Sequence, residues 1–261
     1  MKIACCQLDI AWEDKAANYA KVHSLLAEAK LPPGSLVVLP EMFATGFSMN
    51  VADIAEAKDG PTAAFVQATA REFGIFVTAG LAIVDDRGQA SNHALVVAPN
   101  GETLCRYDKI HPFTLGGEAD HYRAGSEVVL WDWQGCRVAP FICYDLRFPE
   151  LFRAAVERGA QMFTVIANWP VKREMHWVTL LQARAIENQA YIIGVNRCGT
   201  DPKYVYPGRT VVVDAHGCVR TDAGHQPGLI TADIDLGVVE SWRKEFPALQ
   251  DMHWKASAKS I

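Results

Sequence analysis

Pro140-Phe141-Ile142-Cys143-Tyr144-Asp145-Leu146-Arg147-Phe148-Pro149-Glu150 carries a strand, a turn and the start of a helix in one short run. The apolar residues before Cys143 suit a buried strand. Pro149 and Glu150 suit the first turn of a helix expected over 147–158, where a missing N–H costs nothing and a carboxylate meets the helix dipole. A strand passing straight into a helix is the repeating unit of alternating α/β folds. A thiol at that turn sits near helix-terminal N–H groups, which favour the thiolate and can bind an oxyanion. The elbow of serine hydrolases follows the same logic, although G-x-S-x-G is absent here. The alternative is a small core residue at a strand end, the usual fate of a free cysteine.

Outward from this segment the same alternation recurs. Apolar runs and turn residues predict strands at 3–8, 35–40, 75–83, 93–98, 103–107, 128–133, 136–143, 162–167, 191–196, 210–214, 218–221 and 229–234. Helical spacing predicts helices at 15–29, 62–73, 147–158 and 177–188, with Pro61 near a helix start and Gly74 after its end. Strands outnumber helices too far for one helix per strand, and two stacked sheets with helices outside account for the surplus. No Pro/Ser-rich linker interrupts the chain, so residues 1–261 read as one α/β domain with a polar tail from about 243 to 261. Adjacent Cys5 and Cys6 should face opposite sides of their strand, and Trp131 and Trp133 the same side.

Composition narrows the function. A net charge of -5 without a long run of either sign argues against a nucleic-acid partner, and Lys172, Arg173 and Lys203 form no coherent basic patch. No apolar stretch approaches the ~20 residues of a membrane helix. Asp9 interrupts any signal-peptide core, which makes the expected location cytoplasmic. The 7 cysteines are odd in number, irregularly spaced and without a C-x-x-C pair, as for free thiols in a reducing compartment.

Two further strand endings bear on Cys143. Leu36-Val37-Val38-Leu39-Pro40-Glu41-Met42-Phe43 ends in a carboxylate that either emerges into solvent or lines a cleft. Arg106-Tyr107-Asp108-Lys109-Ile110-His111-Pro112-Phe113 repeats the arrangement with a lysine, which alone would read as a surface residue. Acid, lysine and cysteine then follow in chain order.

In these three segments Glu41, Lys109 and Cys143 resemble the Glu–Lys–Cys triad of the nitrilase, or carbon–nitrogen hydrolase, superfamily, and the resemblance covers nearly the whole chain. Within it the sequence is most similar to the omega-amidase branch, which hydrolyses the terminal amide of 2-oxoglutaramate and 2-oxosuccinamate. The resemblance implies a four-layer α–β–β–α sandwich of two stacked mixed sheets with outer helices, paired as a homodimer. It implies no metal or organic cofactor. It also matches the family's second glutamate to Glu118, in a loop that departs from the better-known omega-amidases around 114–120; a solvated loop carboxylate is the alternative.

The chemistry of these residue types agrees. A thiolate splits hydrolysis of a poorly electrophilic amide into acylation and deacylation. Glu41 can take the Cys143 proton and later activate water. The Lys109 ammonium can stabilise thiolate and oxyanion, with the Tyr144 N–H as second donor. Glu118 would orient the amide nitrogen or Lys109. Arg147 is either a surface residue paired with Glu150 or a planar fork for a substrate carboxylate, the role the resemblance gives it. Trp169, in Asn168-Trp169-Pro170, either packs or walls the pocket. Two rivals remain: a Cys–His enzyme using His111, His121 or His176, and a catalytically silent binding protein on the same fold. Nitrile and N-carbamoyl hydrolysis would use the same triad.

Overall fold

The structure, a computed structural model, describes residues 1–253. In chain order its elements are β1 (Lys2–Gln7), α1 (Lys15–Ala29), β2 (Leu36–Val38), α2 (Val51–Ile54), α3 (Pro61–Phe73), β3 (Phe76–Val84), β4 (Ala90–Val97), β5 (Thr103–Asp108), β6 (Trp131–Trp133) and β7 (Cys136–Ile142). After these come α4 (Pro149–Glu157), β8 (Met162–Ala167), α5 (Glu174–Asn188), β9 (Tyr191–Asn196), β10 (Cys198–Thr200), β11 (Val205–Pro207), β12 (Val211–Val213), β13 (Val219–Asp222), β14 (Gly228–Asp233) and α6 (Leu236–Glu245).

Two six-stranded mixed sheets are stacked, ordered β14-β1-β2-β3-β4-β5 and β13-β12-β9-β8-β7-β6, and β10 and β11 form a separate ribbon. Strand alternation sorts the first sheet's side chains between two cores. Ile3, Cys5, Leu36, Val38, Ala94 and Val96 face the second sheet. Their neighbours Ala4, Cys6, Val37 and Leu39 meet Val22 and Leu26 of α1 and Ala63, Val66 and Ala70 of α3. Cys5 and Cys6 thus lie on opposite faces, as their adjacency requires. On the far side Leu151 and Phe152 of α4 and Trp177 and Leu181 of α5 complete the fourth layer. Full burial of each such side chain contributes about 1.5–3 kcal/mol.

The helices begin and end where local chemistry directs. Asp14 accepts a hydrogen bond from the Ala17 N–H at the start of α1, at 3.0 Å. Pro61 opens α3, and Gly74 closes it in the left-handed region. Three expectations differ from what is found. The edge strand expected over 128–133 shrinks to Trp131–Trp133, because the Val128 carbonyl is taken by the Arg158 side chain. The helix expected from Arg147 starts at Pro149, after a 3₁₀ turn over Cys143–Arg147. Arg243, expected to begin a tail, sits inside α6, where its guanidinium donates to the carbonyls of Ala160 (2.7 Å) and Gln189 (3.0 Å). The part of that tail over 254–261 lies outside the described residues.

The parallel runs β1-β2-β3 and β7-β8-β9 fix where a site can form. In open α/β sheets the carboxyl ends of parallel strands are where loops converge on a ligand.

Candidate active site

Four strand ends deliver the site. β2 continues as far as Leu39, whose N–H donates to the Thr78 carbonyl at 2.8 Å, and then presents Pro40 and Glu41. Gly80 of β3 lets this segment come close: its N–H donates to Pro40 at 3.2 Å and its carbonyl accepts from Phe43 at 3.1 Å. A Cβ there would stand 2.5 Å from Glu41 Cα and 2.6 Å from Met42 N, so only glycine fits. Lys109 follows β5, its N–H donating to the Asn92 carbonyl at 2.9 Å. Cys143 follows β7 with φ +47°, and Met42 beside Glu41 has φ +44°. Such conformations cost non-glycine residues about 1–3 kcal/mol and persist where surroundings over-determine them.

Asp145 over-determines the turn at Cys143. Its Oδ2 accepts from the Tyr107 hydroxyl at 2.7 Å and the Ile142 N–H at 3.1 Å, and its Oδ1 from the His111 N–H at 2.9 Å. The Arg184 guanidinium holds the Leu146 carbonyl from α5, at 2.8 and 3.1 Å. The cysteine turn and the Lys109 loop are therefore locked to each other.

Behind the thiol lies a fully buried charge cluster. Lys109 Nζ donates to Glu41 Oε1 at 2.9 Å and to Glu118 Oε2 at 2.8 Å. Asn92 Nδ2 bridges the same two carboxylates, at 2.7 Å to each. The Phe113 N–H donates to Glu118 at 2.6 Å. The Asn168 N–H donates to Glu41 Oε2 at 2.7 Å, and its side-chain amide to the Glu41 carbonyl at 2.7 Å. Glu118 is thus buried, not the solvated loop carboxylate of the alternative reading. Asn92 carries no mark of this role in the sequence, where it sits between Ser91 and His93 at the polar start of β4.

One ammonium shared by two carboxylates leaves little positive field over the sulfur. Burial pushes the Cys143 thiol well above its usual range and the Glu41 charge adds to this, while Lys109 opposes. The resting group is the thiol. Lys109 acts in the direction expected for thiolate stabilisation but is outweighed. Attack by such a thiol needs a base to take its proton, and Glu41 is one of the carboxylates whose charge reaches it. Burial lowers the charged form of Lys109, but Glu118 and Glu41 more than offset it and hold the ammonium charged far into the alkaline range.

Cys143 opens into a narrow cleft whose walls include Tyr144, Arg147, Asn168, Trp169 and Arg173. Arg147 closes the 3₁₀ turn; its guanidinium lies 4.9 Å from the Trp169 ring centroid and donates to His176 Nδ1 at 3.2 Å, with no contact to Glu150. Trp169 is both wall and core: it is 2 % exposed, and its ring N–H is spent on the Arg173 carbonyl at 2.7 Å. Arg173 lines the same cleft. Among the described residues no histidine lines this cleft. His111 stacks on Phe148 with centroids 3.6 Å apart, and His176 is exposed beside Arg147. A Cys–His pair is not assembled among the described residues. A larger cleft around His93, Arg106 and Asp108 lies apart and contains none of these groups. Among the described residues no set of three or more His, Cys, Asp or Glu is grouped to hold a metal, and no helix is long and apolar enough to cross a membrane.

Comparison with known proteins agrees with this geometry. Residues 2–244 match the family model for carbon-nitrogen hydrolases. The chain is 37 % identical over 255 residues to an omega-amidase, YafV, of Yersinia enterocolitica, covering 96 % of each chain. It is 32 % identical over 251 residues to a 2-oxoglutaramate amidase of Bacillus subtilis, again covering 96 % of each. In structure it is similar to a carbon–nitrogen hydrolase superfamily protein of Xanthomonas campestris that carries an arsenic adduct in its active site, with a TM-score of 0.93, 35 % identity and 98 % of each chain covered.

Proposed function

The chain belongs to the carbon-nitrogen hydrolase family, and on that footing we propose that it is an omega-amidase, hydrolysing the terminal amide of 2-oxoglutaramate or 2-oxosuccinamate to the acid and ammonia. The observation that carries this reading is one cleft shared by Cys143, which the buried Glu41–Lys109–Glu118 cluster backs, and an arginine, Arg147, that has no carboxylate partner among the described residues.

The amide carbonyl lies over the Cys143 sulfur. Glu41 takes the thiol proton as sulfur attacks, so charge appears on the carbonyl oxygen only as the S–C bond forms. The Tyr144 N–H and the Lys109 ammonium meet that oxyanion. Glu41 returns the proton to the departing nitrogen, ammonia leaves, and an acyl thioester remains on Cys143. Water enters, gives a proton to Glu41 and attacks the thioester; collapse releases the acid and restores the thiol. Glu118 holds Lys109 in place throughout: its Oε2 accepts from both Lys109 and the Phe113 N–H, and its Oε1 from Asn92. Arg147 receives the substrate carboxylate in a two-pronged contact, its plane set by Trp169.

The same reading includes a cytoplasmic homodimer, as the family resemblance implies. It is supported by the outward stripe of α5, where Met175 is 72 % and Ile186 56 % exposed, apolar surface that a second copy would cover; size-exclusion chromatography with light scattering tests it.

Ammonia release measured across 2-oxoglutaramate, neutral amides of equal length, nitriles and N-carbamoyl compounds tests the reaction. The oxo-acid amide should give the highest kcat/KM, and the Cys143→Ala protein should release nothing. Preference for a nitrile or an N-carbamoyl compound would move the assignment elsewhere in the family.

A further inference from the structure

The cleft holds a second guanidinium that the amide hydrolysis does not use. Arg173, in the 3₁₀ turn over Val171–Arg173, stands 5.3 Å from the Phe113 ring centroid on the wall shared with Cys143 and Arg147. Among the described residues no aspartate or glutamate lines this cleft. The nearby carboxylates Glu41 and Glu118 are committed to Lys109, Asn92, Asn168 and backbone N–H groups. Neither Arg147 nor Arg173 ion-pairs with a carboxylate among the described residues, and each rests on an aromatic face instead. The two cations also feel one another: after burial, the Arg173 charge is the next cause holding the Arg147 guanidinium below its usual range. Two unpaired like charges beside one apolar-walled cleft are disfavoured until an anion arrives.

We infer that Arg173 is a second arm of the substrate site, meeting the 2-oxo oxygen beside a carboxylate held by Arg147, and that it selects 2-oxo acid amides against 2-amino acid amides. This rests on the omega-amidase reading and adds the residue that reads the second carbon. An acid with a 2-oxo group presents adjacent acceptor oxygens, which two donor forks can satisfy together. A 2-amino acid places an ammonium at the same point, facing two guanidiniums with no carboxylate to receive it. Discrimination then comes from repulsion of the wrong substrate as much as from attraction of the right one. Glutamine, which differs from 2-oxoglutaramate only in carrying an amino group at that carbon, is the analogue such a site must refuse.

The test compares kcat/KM for 2-oxoglutaramate, glutamine and butanamide in wild type, Arg173→Gln and Arg173→Lys. Arg173→Gln should cost about 10–100-fold on 2-oxoglutaramate, chiefly through KM, as expected for loss of one charge-assisted contact. The oxo-to-amino ratio should fall at least tenfold, the loss on butanamide should be much smaller, and Arg173→Lys should recover part of the ratio. An unchanged oxo-to-amino ratio, or equal losses on all three amides, overturns the proposal. Calorimetric binding of 2-oxoglutarate and glutamate to the Cys143→Ala protein, with and without Arg173→Gln, separates this from the parent reading. If wild type ignores 2-oxoglutaramate and prefers butanamide, the omega-amidase reading fails. The arm itself is then upheld by at least a tenfold loss of 2-oxoglutarate affinity in Arg173→Gln, and overturned by no loss.

Discussion

Asn168 grips Glu41 at both ends, its backbone N–H on the carboxylate and its side-chain amide on the main-chain carbonyl, each at 2.7 Å. Glu41 follows β2 of one sheet and Asn168 follows β8 of the other. The proposed general base is therefore aimed by the sheet opposite its own, and its second oxygen is fixed by Lys109 and Asn92. A carboxylate held by several donors keeps one orientation through both halves of a two-step hydrolysis, which is the preorganisation such chemistry needs.

The raised thiol predicts how Cys143 reacts before substrate arrives. Alkylation by iodoacetamide should be slow at neutral pH and should climb with pH without levelling off below about 9, the ordinary thiol range, because burial and Glu41 hold the proton on. Cys143→Ala should show no alkylation at this site and no turnover, with folding nearly intact. A rate plateau near pH 6–7, followed by peptide mass, would show a preformed thiolate and reverse the role assigned to Glu41.

Removing Lys109 should unbalance the cluster. Lys109→Met leaves two buried carboxylates facing each other and should lose about 3–5 kcal/mol of stability along with turnover. Burial already holds the Glu118 carboxyl up, with Glu41 adding and Lys109 opposing, so removing the lysine raises it further. A carboxyl whose folded pKa is raised contributes stability that is complete below the unfolded value of about 4.5 and is lost as pH rises through the folded pKa. Urea midpoints for Lys109→Met should therefore improve on acidification. Adding Glu118→Gln should restore much of the midpoint at pH 7 without restoring activity; equal or greater instability in the double variant would contradict this.

Gly80 should behave as a catalytic-loop support at a distance from the chemistry. Gly80→Ala forces the Pro40–Glu41–Met42 backbone outward, since its Cβ would overlap Glu41 Cα. A misplacement of about 1 Å can cost 100-fold in rate. We expect kcat to fall by one to two orders of magnitude with KM little changed, in a protein that still melts cooperatively. Wild-type kcat in that variant would mean that the segment relaxes without moving the base.

Arg147 should separate substrates by charge. Arg147→Ala should lower kcat/KM for 2-oxoglutaramate by a few kcal/mol and leave a neutral amide of similar length much less affected. Arg147→Lys should be nearly as damaging on the acid, because an ammonium cannot reproduce the forked contact or the fit on the Trp169 face. Equal slowing of both substrates would remove the carboxylate from the reading.

The stacked-sheet architecture is legible in the sequence because β1, β2, β7, β8 and β9 are short apolar runs separated by helical periodicity or proline and glycine. Glu41 and Cys143 are readable because each ends such a run, whereas Lys109, after the mixed strand β5, is readable only through its place in chain order between them. The segment over 205–207 gives no strand signal, since β11 pairs only with the equally short β10, and three residues carry no period. α6 is hidden because Val239 is its only fully buried side chain, and its hold on the body is made by Arg243 to carbonyls. Asn92, Asn168 and Gly80 have no local signature for their roles. Each acts through a neighbour far away in sequence: Asn168 meets Glu41 across 127 positions.

The origins of the site residues divide the chain in an informative way. Glu41, Asn92, Lys109 and Glu118 all precede β6, while Cys143, Arg147, Asn168 and Arg173 all follow it. Base and nucleophile thus sit on separate halves of one polypeptide, joined by the stretch between Gly125 and Trp131. A chain cut within that stretch would yield one piece with Glu41, Lys109 and Glu118 but not Cys143, and another with Cys143 but none of those three. Neither could turn over alone, and activity on mixing would report reassociation of the two fragments, including the return of β14 to the edge of the first sheet beside β1. The arrangement makes this hydrolase a natural two-fragment sensor, in which ammonia is the signal of docking.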